Sequence, residues 1–292
     1  MKILKFTFII VLLLAPQFNI FAQKDSSNES INIFNLDENS KPFIELNYGI
    51  STVRHKNVSA EFKNPGLTGI KIGYTKINKQ KGNDILEENE SYIFASYLAS
   101  DLNFNTESGI KVNPDGWNFG LGNRDGFGYK LNNFAIIPYM QSSIYWSNLK
   151  VSLPDVRTFN GDFYTRQTRD ELNYYNGSFR FGTRSEAGID LKFGQLISIS
   201  GAYETAVIFP RHLFWKQAGS YFLESFSLVV ADYFVEEVMN SSPAAGPIVN
   251  FFLKNGLSYA FYQLKRDKMN WPFASAAPLT YETFKIGLKF TF

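Results

Sequence analysis

Two histidines, His55 and His212, and no cysteine bound the chemistry open to this 292-residue chain. Without thiols there is no disulfide scaffold, no thiol nucleophile and no Cys-ligated zinc or iron–sulfur centre. With only two imidazoles, a catalytic metal centre is short of ligands, so neither a metal nor a cofactor is expected. A histidine held beside a serine can attack an acyl ester. His55 has Ser51 and Ser59 nearby in sequence, and His212 opens an apolar segment. A loop histidine is ordinarily a plain surface residue, however, and no catalytic residue is assigned. Glu224, Asp232, Glu236 and Glu237 carry enough oxygen to hold a divalent cation, but their spacing reads better as the solvated face of a helix. The glycine-rich run FGLGNRDGFG at 119–128 lacks the spacing of a phosphate or dinucleotide loop and reads as a flexible turn.

Composition narrows the setting in which such residues would act. Twenty-nine Lys and Arg against 27 Asp and Glu leave a formal charge of +2, so there is no basic field to track phosphates and nucleic acid is not expected as a partner. Aromatic residues make up 17% of the chain beside 19% charged residues, an excess of large rings that calls for amphipathic surroundings. Residues 1–22, MKILKFTFIIVLLLAPQFNIFA, place Lys2 and Lys5 before an apolar run and end on the small Ala22, the pattern of an export signal cleaved near that residue. Pro16, Gln17 and Asn19 interrupt the run too early for a spanning helix, which needs about 20 apolar residues. Residues 23–41 are polar and read as a flexible linker, leaving 42–292 as the folded part.

The elements in that part have a period of two. In YETFKIGLKFTF the positions Phe284, Ile286, Leu288, Phe290 and Phe292 are apolar, with Lys285, Gly287, Lys289 and Thr291 between them. Ile44, Leu46, Tyr48 and Ile50 alternate in the same way with Glu45, Asn47, Gly49 and Ser51, and Ile70, Ile72 and Tyr74 with Lys71, Gly73 and Thr75. From 177 to 194 odd positions are mostly apolar and even positions charged, a run of about 60 Å that would project beyond a membrane or contain a break. Counting such runs gives eight strands near 42–54, 67–78, 90–101, 116–122, 133–148, 177–194, 196–209 and 280–292. The links at 79–89 and 123–132 are long for tight turns, so ten or twelve strands also fit the spacing.

An export signal, alternating strands and a final strand ending on Phe292 together resemble the Gram-negative outer-membrane β-barrel superfamily. The resemblance implies an all-β transmembrane antiparallel barrel in the outer membrane. It also implies insertion from the periplasm by the barrel assembly machinery, with Phe284, Ile286, Leu288, Phe290 and Phe292 as the signal. Outer-membrane lipids and lipopolysaccharide would surround the barrel. Trp117, Tyr139, Tyr145, Trp146 and Trp271 are candidate girdle residues. Neither histidine has the His-x-Ser spacing of the superfamily's lipid hydrolases.

One segment, 212–266, departs from period two. Glu224, Leu228, Asp232 and Glu236 fall four apart, Pro243 and Pro247 with Gly246 break the chain, and 248–265 is again apolar. It reads as a helical hairpin inserted before the last strand, with two further strands as the competing reading. Residues 218–264 are similar to a helix-bearing stretch in an uncharacterised family of outer-membrane barrels, through Glu224-Ser225, Glu236-Glu237 and Ser242-Pro243; that family brings no established chemistry. So apolar a segment must lie at the bilayer interface, fill the lumen or bind a partner. Phe222, Phe226, Tyr233, Phe234, Phe251 and Phe252 are its candidate interaction surface.

In the register above Glu45, Lys71, Arg180, Arg184, Glu186, Asp190, Lys192, Glu204, Lys285 and Lys289 point inward with both signs mixed, and Glu45 is a candidate partner for Lys285 or Lys289. Side chains fill the interior of an eight-stranded barrel. The expected function is therefore a non-enzymatic barrel with a sealed lumen, acting through its loops and insert within the membrane or a membrane complex. A narrow channel for a small apolar or amphipathic solute and a lipid-modifying hydrolase are the alternatives.

Overall fold

A computed structural model describes residues 40–58, 60–79, 84–104, 111–153, 157–158, 161–162 and 166–292. The export signal, almost all of the linker, and Ser59 lie outside the described residues. Eight long strands form a closed antiparallel barrel: β1 (Lys41–His55), β2 (Gly66–Lys79), β3 (Ile85–Ala99), β4 (Asn113–Leu131), β5 (Phe134–Ser152), β6 (Arg180–Phe193), β7 (Ile197–Ile208) and β8 (Leu279–Thr291). Each pairs with its neighbours in sequence, and β8 closes on β1. A two-residue ladder joins Arg157–Thr158 to Gly161–Asp162 outside the barrel.

The closing register fixes the geometry. Followed through directly opposed residues, Phe290 leads to Ile44, Ile72, Ile93, Leu121, Ile144, Thr183 and Val207, and returns to β8 at Thr280. That offset of ten residues over eight strands tilts the strands by about 40° and raises the chain by about 2.5 Å per residue along the barrel axis. The tight turns all lie at one end. Asn132, at φ 50°, sits between β4 and β5, and Gly194, at φ 67°, between β6 and β7; there an L side chain other than Asn or Asp would be strained. Lys41 and Thr291 lie at this same short-turn end, and the long connections lie at the other.

Outward positions carry the belt. Leu46, Ile72, Ile93, Phe284 and Ile286 are all exposed. At the long-loop end Trp117 stacks near Tyr97 at 4.5 Å, and Phe119 lies on Trp146 at 5.8 Å, which sets a cluster of rings at one rim of the belt.

The segments 79–89 and 123–132, expected as links, lie largely within strands. Ile85 already opens β3, and the glycine-rich run 119–128 lies within β4, not in a turn. The connection between β4 and β5 is only Asn132-Asn133, which removes the spacing argument for ten or twelve strands. The sixth strand begins at Arg180, so its length suits one tilted crossing. The competing reading of 212–266 as strands also falls: α2 (Phe214–Ser241) and α3 (Gly246–Asp267) form a helical hairpin between β7 and β8. A shorter helix, α1 (Arg166–Asn173), lies between β5 and β6.

Candidate functional site: the lumen and the outer-wall hairpin

The lumen has three layers. At the long-loop end, inward Val53, Leu67, Phe94, Leu98, Tyr145, Leu149, Ile208, Leu279 and Tyr281 form one apolar cluster, into which Leu172 of α1 and Tyr175 are buried. At the short-turn end Leu86, Ala135 and Ile137 form another. Between them lies a band of buried charge.

Arg124 is the centre of that band. It is 1% exposed. Its Nη2 donates to Glu45 Oε2 at 2.8 Å, its Nη1 lies 3.2 Å from Glu90 Oε2, and its Nε donates to Gln141 Oε1 at 3.2 Å. The guanidinium also lies over the Tyr139 ring, 4.1 Å from its centroid, and Tyr139 donates to Glu186 at 2.7 Å. Lys71 bridges Glu45 at 2.8 Å and Gln141 at 2.9 Å. Lys285 joins Glu186 and Glu204, each at 2.5 Å, while Lys289 joins Glu90 and Asp190, each at 2.6 Å. Lys192 pairs with Glu88. Arg184 lies 3.5 Å from Glu204, donates to Tyr281 Oη at 2.8 Å and sits over the rings of Phe94 and Tyr145.

Among these described groups Lys71, Arg124, Arg184, Lys192, Lys285 and Lys289 balance Glu45, Glu88, Glu90, Glu186, Asp190 and Glu204. Charges so far from water persist when they are matched and hydrogen-bonded. Arg180, inward by parity, is only partly buried near the mouth. Glu45 stands opposite Lys289 in the ladder, yet its bonds go to Lys71 and Arg124. The pairing of Glu45 with Lys285 or Lys289 is thus corrected: the long cationic side chains lean along the axis to carboxylates on other strands. Arg124 and Glu88 were missed because their segments read as links, and Glu90 and Gln141, although inside expected strands, were not singled out. The signal available was parity, since Glu88 and Glu90 continue the inward positions of β3, and Arg124 those of β4. Tyr139 and Tyr145 are likewise lumenal and buried, not girdle residues, whereas Trp117 faces outward.

The hairpin neither fills this lumen nor lies flat at one rim. Its bonds go to outward-facing barrel residues. Tyr129 Oη donates to the Ala244 carbonyl at the hairpin tip at 2.5 Å, Lys254 Nζ donates to Asp125 at 2.6 Å, and Tyr262 Oη donates to Glu282 at 3.2 Å. Helix α3 therefore runs along the outside of the wall, over β4 to β7, and reaches Glu282 on β8. The helices are tied together by Lys254 with Asp232 at 2.9 Å and by Lys265 with Glu224. Glu224 and Asp232 are thus cross-helix partners, while Asp232, Glu236 and Glu237 remain exposed and the latter two take part in neither pair. Phe222, Phe226, Tyr233, Phe234 and Phe252 are exposed on the hairpin, and Phe251 is partly buried.

The two histidines have different surroundings. His55 Nδ1 accepts from the Asn57 amide at 3.3 Å, and its Nε2 lies 3.9 Å from Glu171 of α1. Ser51 is engaged with Thr283 at 2.7 Å. His212 lies beside the Phe181 ring; partial burial, with the Arg180 charge adding to it, holds its imidazole below the ordinary value. Among the described residues no three His, Asp or Glu side chains form a metal-holding group.

No family model matches the chain, and no curated protein matches it in sequence. Among solved structures it is similar to Neisserial surface protein A, at 9% identity and a TM-score of 0.38, over 86% of this chain and 97% of that one. It is also similar to Ail, the attachment invasion locus protein of Yersinia pestis, at 10% identity and a TM-score of 0.31, over 87% of this chain and 99% of that one. Ail in complex with the heparin analogue sucrose octasulfate gives 10% identity and a TM-score of 0.32 over the same shares, 87% and 99%.

Proposed function

We propose that the protein is an integral barrel of the Gram-negative outer membrane with a sealed lumen, acting without catalysis through its long-loop face and its helical hairpin. The short-turn end then faces the periplasm and the long connections face outward, as strand parity in such barrels requires. Outer-membrane lipids and lipopolysaccharide surround the belt, and the barrel assembly machinery inserts the chain through the final strand, Phe284 to Phe292. A protein partner within the membrane would meet the hairpin or the outward loops.

The observation that carries this reading is the lumenal band centred on Arg124. Six cations and six carboxylates are bonded across the axis and buried, with an apolar layer on either side. An ion entering would have to break several of these pairs at once, each costing kcal/mol in a desolvated setting. Purified protein reconstituted into planar bilayers is therefore expected to give no stable stepwise conductance. Reproducible single-channel steps that vanish when the protein is omitted would overturn the sealed-lumen reading in favour of a narrow channel.

A further inference from the structure

Helix α3 is largely inverted in polarity compared with helices that pack on a water-soluble core, and α2 leaves most of its rings exposed. The buried side of α3 contains Asn250, Lys254, Ser258, Tyr262 and Lys265, while Ile248, Phe252, Tyr259 and Leu264 are exposed. Along α2 the buried residues are Ser220, Ala231 and Val235, while Phe222, Phe226, Val230, Tyr233 and Phe234 are between 53% and 65% exposed. In water this arrangement would leave a large apolar surface uncovered. In hydrocarbon it is the favourable one, since Lys254, Tyr262 and Lys265 pair on the inner side and small residues let helices approach.

The wall beneath α3 has a matching polarity. Asn123, Ser142, Ser185, Thr205 and Glu282 are directly opposed residues on five successive strands, all on the outer face. Elsewhere the outer face presents Leu46, Ile70, Ile72, Ile93, Phe284, Ile286 and Leu288. A row of amide, hydroxyl and carboxylate groups facing lipid would be costly, and Thr205 is only 6% exposed despite pointing outward.

The depths agree as well. On strands tilted by about 40°, Tyr129 lies about 15 Å below Asn123 along the axis and Glu282 about 12 Å above it, a separation of about 27 Å. From Ala244 to Tyr262, their hydrogen-bond partners on the hairpin, is 18 residues, about 27 Å of helix. Helix α3 is thus nearly parallel to the barrel axis and covers the height of an apolar band of about 25 Å.

From this we infer that the hairpin crosses the hydrocarbon layer as two helices clipped to the barrel wall, and that lipid acyl chains occupy its exposed aromatic face. The inference rests on the membrane-barrel reading above. No described helix is long and apolar enough to cross a membrane by its own hydropathy. Here the wall and the partner helix supply what each lacks alone: Lys265 meets Glu224, and Lys254 lies between Asp125 and Asp232. Lipid is favoured as the occupant because the exposed rings extend along both helices at the depth of the barrel's belt, and are not gathered into one patch.

The absence of native cysteine makes the test direct. Single-cysteine variants Phe226→Cys and Phe252→Cys on the hairpin, Ile286→Cys on the belt and Ser242→Cys at the tip are labelled with a nitroxide. Each is reconstituted into phosphatidylcholine–phosphatidylglycerol vesicles, and its relaxation by oxygen and by a water-soluble nickel chelate is compared. Val230→Cys provides an independent hairpin site. Oxygen preference at 226, 230 and 252 equal to that at 286, with nickel preference at 242, supports the inference. Nickel preference at the hairpin sites with oxygen preference kept at 286 overturns it and leaves the membrane barrel standing. Nickel preference at 286 as well overturns the barrel reading on which it rests. Low access to both reagents at the hairpin sites with dipolar broadening places a second copy there, and overturns the lipid-facing hairpin.

Discussion

Replacing Arg124 with Met removes the one guanidinium that meets Glu45, Glu90 and Glu186 together, and leaves a shorter apolar chain beside Tyr139. The side chain is 1% exposed and its carboxylate neighbours are equally buried, so water cannot take its place. Breaking a buried pair by removing one partner costs about 3–5 kcal/mol. Each carboxylate retains another cation: Glu45 has Lys71 at 2.8 Å, Glu90 has Lys289 at 2.6 Å, and Glu186 has Lys285 at 2.5 Å. That places the expected loss near the lower end, about 3 kcal/mol. Adding Glu45→Gln restores neutrality to the band and should recover about 1–2 kcal/mol, inside the range of about 0.5–3 kcal/mol for coupling within one network. Equilibrium urea unfolding of the reconstituted barrel, followed by tryptophan fluorescence and by heat-modifiable gel migration, measures all four corners of the cycle. If the double variant were less stable than Arg124→Met alone, charge balance would not be what organises the lumen.

Two other substitutions probe different parts of the structure. Lys254→Met strips the cation from two partly exposed carboxylates at the hairpin seam and should cost about 1 kcal/mol, seen as faster proteolytic cleavage between β7 and β8. Asp125→Asn leaves Lys254 with Asp232, a neutral pair, and should change the cleavage rate little; equal sensitivity in both variants would contradict the seam. Gly188 faces the Tyr139 ring, and a Cβ there would lie 2.4 Å from its Cζ and Oη. Gly188→Val should therefore displace the ring from Arg124 and cost about 1–3 kcal/mol as overpacking, a loss that urea midpoints would reveal.

Sequence reading succeeded where one face is greasy and the other charged. Phe284 to Phe292 and Ile44 to Ile50 alternate so strictly that their strands and facing follow from parity alone. It failed on β4, where inward Gly120, Gly122 and Gly126 imitate a loop. Their lack of a side chain leaves room for Tyr145, Tyr92 and Tyr139 from neighbouring strands, a complementarity between segments distant in the chain. It failed at the start of β3, where 79–89 read as a link and nothing marks Glu88 and Glu90 as inward until a lumen of cations is known to receive them. Ion-pair partners were not legible at all, since a ladder neighbour such as Lys289 can reach past Glu45 to Glu90 and Asp190. The hairpin's helical period was visible. Its position was not, although the small and polar outward residues Ser142, Ser185 and Thr205 interrupt an otherwise apolar face and are the trace it leaves in the sequence.

A closed barrel viewed down its axis ordinarily offers the same kind of wall in every direction. Here the hairpin covers the wall over β4 to β7, while β1 to β3 and most of β8 stay bare, so in the proposed membrane setting the molecule would have a front and a back in the plane of the bilayer. Neighbours approaching laterally would meet helices and rings from one side and strand faces lined with Ile and Phe from the other. Any assembly in the membrane would thereby acquire a defined azimuth, set by a chain segment that takes no part in closing the barrel.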